Sequence, residues 1–324
     1  MNTLDRDTDC VLSKSDVLLE VIDASKRFGG LVALQQLNLT IHKGAIFGLI
    51  GPNGAGKTTT IILLMGLSVP TSGTATVLGY DIVRESKELR KSVGLLPEFG
   101  GFYEDLTAEK NLEYIGSLND LSKTESEERA KSLLAEVGLT DWRNEKVEKY
   151  SRGMKQRLGI ASTLLKKPKL VIFDEPTIGL DPAGTKEVRD LILKLNKEQG
   201  LTVFLSSHLL HEIQLTCSNV GIINHGKLIV KDSIQNLTKT LTENEGLSIE
   251  FKLHNINPNL IKEVESLEGV TKVIHEEDKL NVYMKNDVTM QVSQTITRNG
   301  AEILLMKPRE YSMEDIFMKY YKEA

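Results

Sequence analysis

The sequence predicts an α/β protein with a mixed, mostly parallel sheet, a helical subdomain and a small α+β domain at the C-terminal end. Three observations carry this. Short apolar runs at Ile46–Ile50, Leu170–Phe173 and Thr202–Leu205 have the length of strands buried on both faces. Segments with helical spacing separate them, as expected of a parallel sheet with helices on both faces. Beyond a polar stretch at 238–246 (TKTLTENEG), a second and smaller strand–helix pattern begins.

Taken in order, residues 1–16 are polar and lack any apolar core, so they read as a flexible tail without a secretory signal. Val17–Ile22 is a strand. Leu31–Ile41 contains the alternation Leu37, Leu39, Ile41 of a second strand. Ile46–Ile50 is a buried strand, followed by a glycine-rich turn and a helix from Lys57 to about Leu67. Within a subdomain spanning about 98–166, the composition from 104 to 166 turns to Glu, Lys, Leu and Ala. Helical spacing appears at Leu112, Ile115 and Leu118, and again at Leu133, Leu134 and Val137. This is the expected helical subdomain. The strands at 170–173 and 202–205 flank a helix over 184–198. The first domain thus spans 17–238 and the second 246–324. In the second, Ile249, Phe251 and Leu253 alternate, Leu260 to Leu267 is helical, and 270–274 and 280–284 are strands. Val288, Val292 and Ile296 lie on one helical face, and 303–306 is a last strand. Ser312 and Asp315 resemble a capping box before a final helix. The order β-α-β-β-α-β-α suggests a ferredoxin-like arrangement.

Of 324 residues, 40% are hydrophobic and 26% charged, with a formal net charge of −5. That balance suits a globular protein and gives no sign of the basic face that nucleic acid requires. The longest uncharged stretch, Thr58 to Tyr80, contains Pro70 and three glycines, so the chain has no span of about 20 apolar residues. Cys10 and Cys217 are far apart and carry no metal-ligand spacing; both are expected as unpaired thiols.

Residues 51–58 read GPNGAGKT, between a strand and a helix. This is the phosphate-binding loop pattern G-x-x-x-x-G-K-[ST]. Glycines let backbone N–H groups turn inward toward an anion, and the helix N-terminus adds partial positive charge. Lys57 is placed to reach the terminal phosphates, and the Thr58 hydroxyl to hold Mg²⁺. The nucleotide-binding candidates here are Gly51, Pro52, Asn53, Gly54, Ala55, Gly56, Lys57, Thr58 and Thr59. The apolar strand Leu170–Phe173 ends in two carboxylates. Asp174 is placed to help hold the metal, and Glu175 to orient or deprotonate an attacking water.

Further residues narrow the class. Tyr150-Ser-Arg-Gly-Met-Lys-Gln-Arg157 resembles the signature motif of ABC ATPases, and it precedes Asp174 by the interval that family requires. Gly179-Leu-Asp181 resembles the D-loop, and Ser206-Ser-His208 the switch histidine. Phe28 stands where the family has an aromatic that stacks on adenine. The resemblance covers roughly residues 18–235. It implies an ATPase using ATP and Mg²⁺, peripheral on the cytoplasmic face of the membrane and partnered by a transmembrane permease. Two copies, or one copy and a homologous ATPase, would form a nucleotide-sandwich dimer. Ser151 and Gly153 of one would meet the γ-phosphate on the other, with Glu175 and His208 as the catalytic pair and Asp181 at the interface.

The sequence departs from the family pattern in two places. Arg152 and Met154 replace the usual glycine and glutamine of the signature. Glu98, in Gly94-Leu-Leu-Pro-Glu98, replaces the usual glutamine that touches Mg²⁺ and the permease contact; a carboxylate can still ligate the ion. The Pro-Glu pair, the Tyr-Ser-x-Gly-Met signature and Tyr311-Ser-Met-Glu-Asp-Ile-Phe317 together resemble a bacterial and archaeal branch. Its members pair one ATPase chain with a separate permease, mostly for export. ABC ATPases of DNA repair carry a long coiled coil between Lys57 and Ser151, for which there is no room. Translation factors of the family carry two sets of motifs, and this chain has one.

Overall fold

The computed structural model describes residues 16–98, 100–308 and 311–322. Cys10 and nearly all of the expected tail lie outside them. Two compact units emerge, one up to Lys231 and one from Asp232 onward.

The first unit runs β1 (Val17–Phe28), β2 (Leu31–His42), β3 (Ile46–Ile50), α1 (Lys57–Leu64), β4 (Ser72–Val77), β5 (Tyr80–Asp81), α2 (Ser86–Ser92) and β6 (Val93–Leu96). It continues with α3 (Ala108–Leu118), α4 (Lys123–Glu136), α5 (Arg152–Leu164), β7 (Leu170–Asp174) and α6 (Pro182–Gln199). It ends with β8 (Thr202–Ser207), α7 (Leu210–Thr216), β9 (Asn219–Asn224) and β10 (Lys227–Ser233). Six strands form a sheet in the order β10-β9-β3-β8-β7-β6. The pairs β3–β8, β3–β9, β7–β8 and β6–β7 are parallel. Every residue of β3, β7 and β8 is buried, which explains their uninterrupted apolar runs.

The strands at the start of the chain do not join that sheet. They build a second one, antiparallel, in the order β2-β1-β4-β5. Helix α1 contacts β2, β4 and β7. Its Ile61, Leu63 and Leu64 sit in one apolar cluster with Leu19, Leu37 and Phe204. Full burial of such a side chain contributes about 1.5–3 kcal/mol, so α1 and the loop before it are held firmly. Between β6 and β7 the described residues form helices and no strand. The N-terminal residues Thr107, Ser122 and Ser151 each accept a hydrogen bond from a backbone N–H three residues on, capping α3, α4 and α5. Among the described residues, no helix is long and apolar enough to cross a membrane.

The second unit comprises α8 (Ile234–Glu245), β11 (Leu247–His254), α9 (Pro258–Glu265), β12 (Val270–Glu276), β13 (Lys279–Met284), α10 (Thr289–Arg298), β14 (Glu302–Pro308) and α11 (Met313–Lys322). Its sheet is antiparallel in the order β12-β13-β11-β14, the arrangement of a ferredoxin-like fold. Phe251, Leu260, Val282 and Ile296 lie in its separate core. The stretch expected to be a polar linker is largely helix α8: Leu237 and Leu241, one turn apart, are both buried. The capping box forms as expected. Ser312 Oγ accepts from Asp315 N at 3.2 Å, and the Asp315 carboxylate accepts from Ser312 N at 2.9 Å.

Candidate functional site

The glycine-rich loop leaves the centre of the parallel sheet at the C-terminal end of β3 and enters α1. Gly56 caps the helix with φ of 112°, a conformation closed to most L side chains. Gly51 is forced by proximity, since a β-carbon there would lie 2.3 Å from the Ile223 carbonyl oxygen. Lys57 folds back under the loop. Its ammonium donates to the carbonyls of Gly51 at 2.8 Å and Pro52 at 3.3 Å, and pairs with Glu175 Oε1 at 3.3 Å. The lysine is 6% exposed, and these three acceptors match its three donors.

The two carboxylates at the end of β7 diverge. Asp174 turns to the loop, where Thr58 Oγ1 donates to its Oδ2 at 3.1 Å. Its other oxygen accepts from the buried Ser206 hydroxyl at 2.5 Å. Glu175 sits at φ of 51°, left-handed backbone that a non-glycine residue enters at a cost of about 1–3 kcal/mol. Its N–H is held there by the carbonyl and hydroxyl of Ser206. That turn sends the Glu175 side chain between two partners: Lys57 on Oε1, and His208 Nδ1 on Oε2 at 2.9 Å. The strained backbone thus places one carboxylate against both the phosphate-loop lysine and the histidine after β8.

A cleft of about 540 Å³ opens over this group. Its walls include Phe28, Asn53, Gly54, Gly56, Lys57, Thr58, Thr59, Glu98 and Glu175. Gly51 and Pro52 hold Lys57 from behind, and Ala55 is buried beneath the loop. Asp174 and His208 join through the hydrogen bonds already given. Phe28 is half exposed and carries the Lys26 ammonium 4.9 Å from its ring centroid. The sequence reading missed Ser206 as a site residue, and also Leu31, Val32 and Ala33, which line the cleft from β2. Ser206 was in plain view in the Ser-Ser-His segment. The β2 residues carry no chemical signal at all.

Ser151, Gly153 and Asp181 do not line this cleft. Ser151 caps α5 and Asp181 caps α6, accepting from Gly184 N at 3.0 Å. Gly153 has an ordinary helical backbone, and a β-carbon there would find nothing nearer than 3.9 Å. Glycine in a helix costs about 1 kcal/mol relative to alanine. Nothing in this chain's own packing requires it.

For a divalent ion, the donor set fits Mg²⁺. The Thr58 hydroxyl and an Asp174 oxygen converge at 3.1 Å beside the phosphate loop, and Glu98 lines the same cleft. Mg²⁺ takes one or two protein oxygens and completes its shell from phosphates and water.

The ABC transporter family model matches residues 34–178. The bacitracin transport ATP-binding protein BcrA of Bacillus licheniformis is 36% identical over 302 residues, covering 93% of this chain and 96% of that protein. This chain belongs to the ABC transporter family. The linearmycin resistance ATP-binding protein LnrL of Bacillus subtilis is 33% identical, with 93% of this ABC ATPase and 97% of the relative covered. Among solved structures, cbiO1 of Clostridium perfringens, part of the ABC transporter complex cbiONQ, is 26% identical with a TM-score of 0.63. It covers 70% of this chain and 95% of its own. An ATP-binding cassette solved as a dimer in a post-hydrolysis state, with ADP and phosphate, is 25% identical with a TM-score of 0.60. That match covers 67% of this ABC ATPase and 98% of the other chain. The chain is therefore an ATP-hydrolysing subunit of an ABC transporter, and the readings in DNA repair and translation fall away.

Proposed function

We propose that two copies of this chain close head to tail around ATP and drive export through a separate membrane permease. The observation that carries this is the division of the site. The Lys57 cleft contains the phosphate loop, Asp174, Glu175 and His208, while Ser151 and the unexplained Gly153 stand outside it. A glycine with no internal reason suits a surface that another molecule must approach closely. In the sandwich, that molecule is the mate's nucleotide, met by Ser151 and by the N–H groups that open α5.

Within one half-site, the residues divide the work. Phe28 offers its face to the adenine. Lys57 exchanges a present acceptor for phosphate oxygens. Thr58 and Asp174 would hold Mg²⁺, with Glu98 beside them, and the ion would neutralise charge on the β- and γ-phosphates. Glu175 orients and deprotonates the attacking water. His208, aligned by Glu175, holds the γ-phosphate, and Asp181 meets the mate across the interface. Hydrolysis removes the shared ligand and the dimer opens. Residues about 98–107 would pass that motion to the permease's cytoplasmic helix, at the inner face of the membrane. The bacitracin and linearmycin relatives support outward transport.

Glu175→Gln keeps the cleft's shape and removes the base. The variant should bind Mg·ATP, hydrolyse at least about a hundredfold more slowly, and elute as a dimer in light scattering. Wild-type turnover, or a monomer at saturating Mg·ATP, would overturn the proposal.

A further inference from the structure

Arg152 follows Ser151 and begins α5, where the family carries glycine. Its guanidinium is laid against Gly179: a β-carbon there would lie 2.5 Å from Cζ and Nη1 and 2.9 Å from Nη2. A side chain at 179 would push the guanidinium aside, and the φ of 66° there also favours glycine. The neighbouring cations of α5 are paired, Lys155 with Glu104 at 2.5 Å and Arg157 with Glu187 at 3.6 Å. Arg152 has no carboxylate within ion-pair distance among the described residues. A cation at a helix N-terminus also meets the positive end of the helix dipole. The chain therefore holds an exposed, oriented positive charge where its own fold is electrostatically worse for it. A bound anion would reverse that balance.

We propose that Arg152 contacts the γ-phosphate of ATP held by the mate, acting in trans beside Ser151; the inference rests on the sandwich reading above. A guanidinium offers planar, two-pronged donors that match phosphate oxygens. Charge supplied from outside the phosphate loop is a known route to stabilising phosphoryl transfer. Packing on Gly179 holds the group in place before the ligand arrives. It also ties the start of α5 to the loop that leads to Asp181.

Mixing two impaired variants tests this. Lys57→Ala has a dead phosphate loop and an intact Arg152, while Arg152→Gln has the reverse. Arg152→Gln alone should lower kcat by at least about tenfold, with an unchanged melting curve, and Arg152→Lys should recover part of the loss. A mixed dimer contains one site with Lys57 and Arg152 from different copies, so the mixture should hydrolyse ATP faster than either variant. Lys57→Ala mixed with Ser151→Ala is the control for site sharing. If that control recovers activity and the Arg152→Gln mixture does not, the role of Arg152 in trans is wrong. Wild-type turnover by Arg152→Gln refutes it equally. If the control itself fails, the sandwich reading falls instead.

Discussion

At the scale of single residues, the site depends on buried groups that satisfy one another. Ser206 is fully buried and serves two neighbours, donating to Asp174 and accepting from the N–H of Glu175. Ser206→Ala leaves a buried carboxylate oxygen without its donor, which costs about 1–3 kcal/mol. Urea denaturation should show that loss, and the ATPase should need more Mg²⁺ for half-maximal rate. Cys217 makes a pH-dependent contribution. Burial pushes its thiol well above the ordinary range. The unfolded thiol ionises first as pH rises, so stability should be complete below about pH 8.5 and fall above it. Denaturation midpoints between pH 7 and 10, compared with Cys217→Ala, check the sign. Most of the site was legible from sequence because its residues sit in contiguous motifs whose spacing carries the chemistry. The β2 wall and the bonding of Ser206 to Asp174 and Glu175 were not, since they come from strands brought together only by folding.

At the scale of elements, buried strands were the readable ones. Ile46–Ile50 was bounded correctly because every residue in it is buried and apolar. Strand β4, with the sequence SGTATV, gave no such signal: four of its six residues face solvent, and its pairing with β1 supplies the stability. Strand β6 was hidden because three of its four residues read as part of the Gly94-Leu-Leu-Pro-Glu98 segment. Helix α8 was obscured by polar residues around Leu237 and Leu241. Helix α3 has a task beyond packing. Asn111, 1% exposed, accepts from Tyr103 N at 2.9 Å and donates to the carbonyls of Tyr103 at 2.9 Å and Thr107 at 3.0 Å. It fixes the segment that follows Glu98. Asn111→Ala should cost about 1–3 kcal/mol and accelerate amide exchange at Tyr103. Unchanged exchange would show that the segment is held by other contacts.

At the scale of the whole molecule, each unit has its own core, and the nucleotide cleft belongs entirely to the first. Heating should therefore give two calorimetric transitions rather than one, with the measured enthalpy exceeding the van't Hoff value. Mg·ADP should raise only the transition of the first unit, by mass action on its folded form. A single transition, or an equal shift of both, would contradict that division. The lysine beneath the glycine-rich turn adds a consequence for energetics. Because its three donors already have takers, the cradle is curled before cargo reaches it. Capture then swaps one set of oxygens for another and freezes little chain, so the heat capacity of association should stay small.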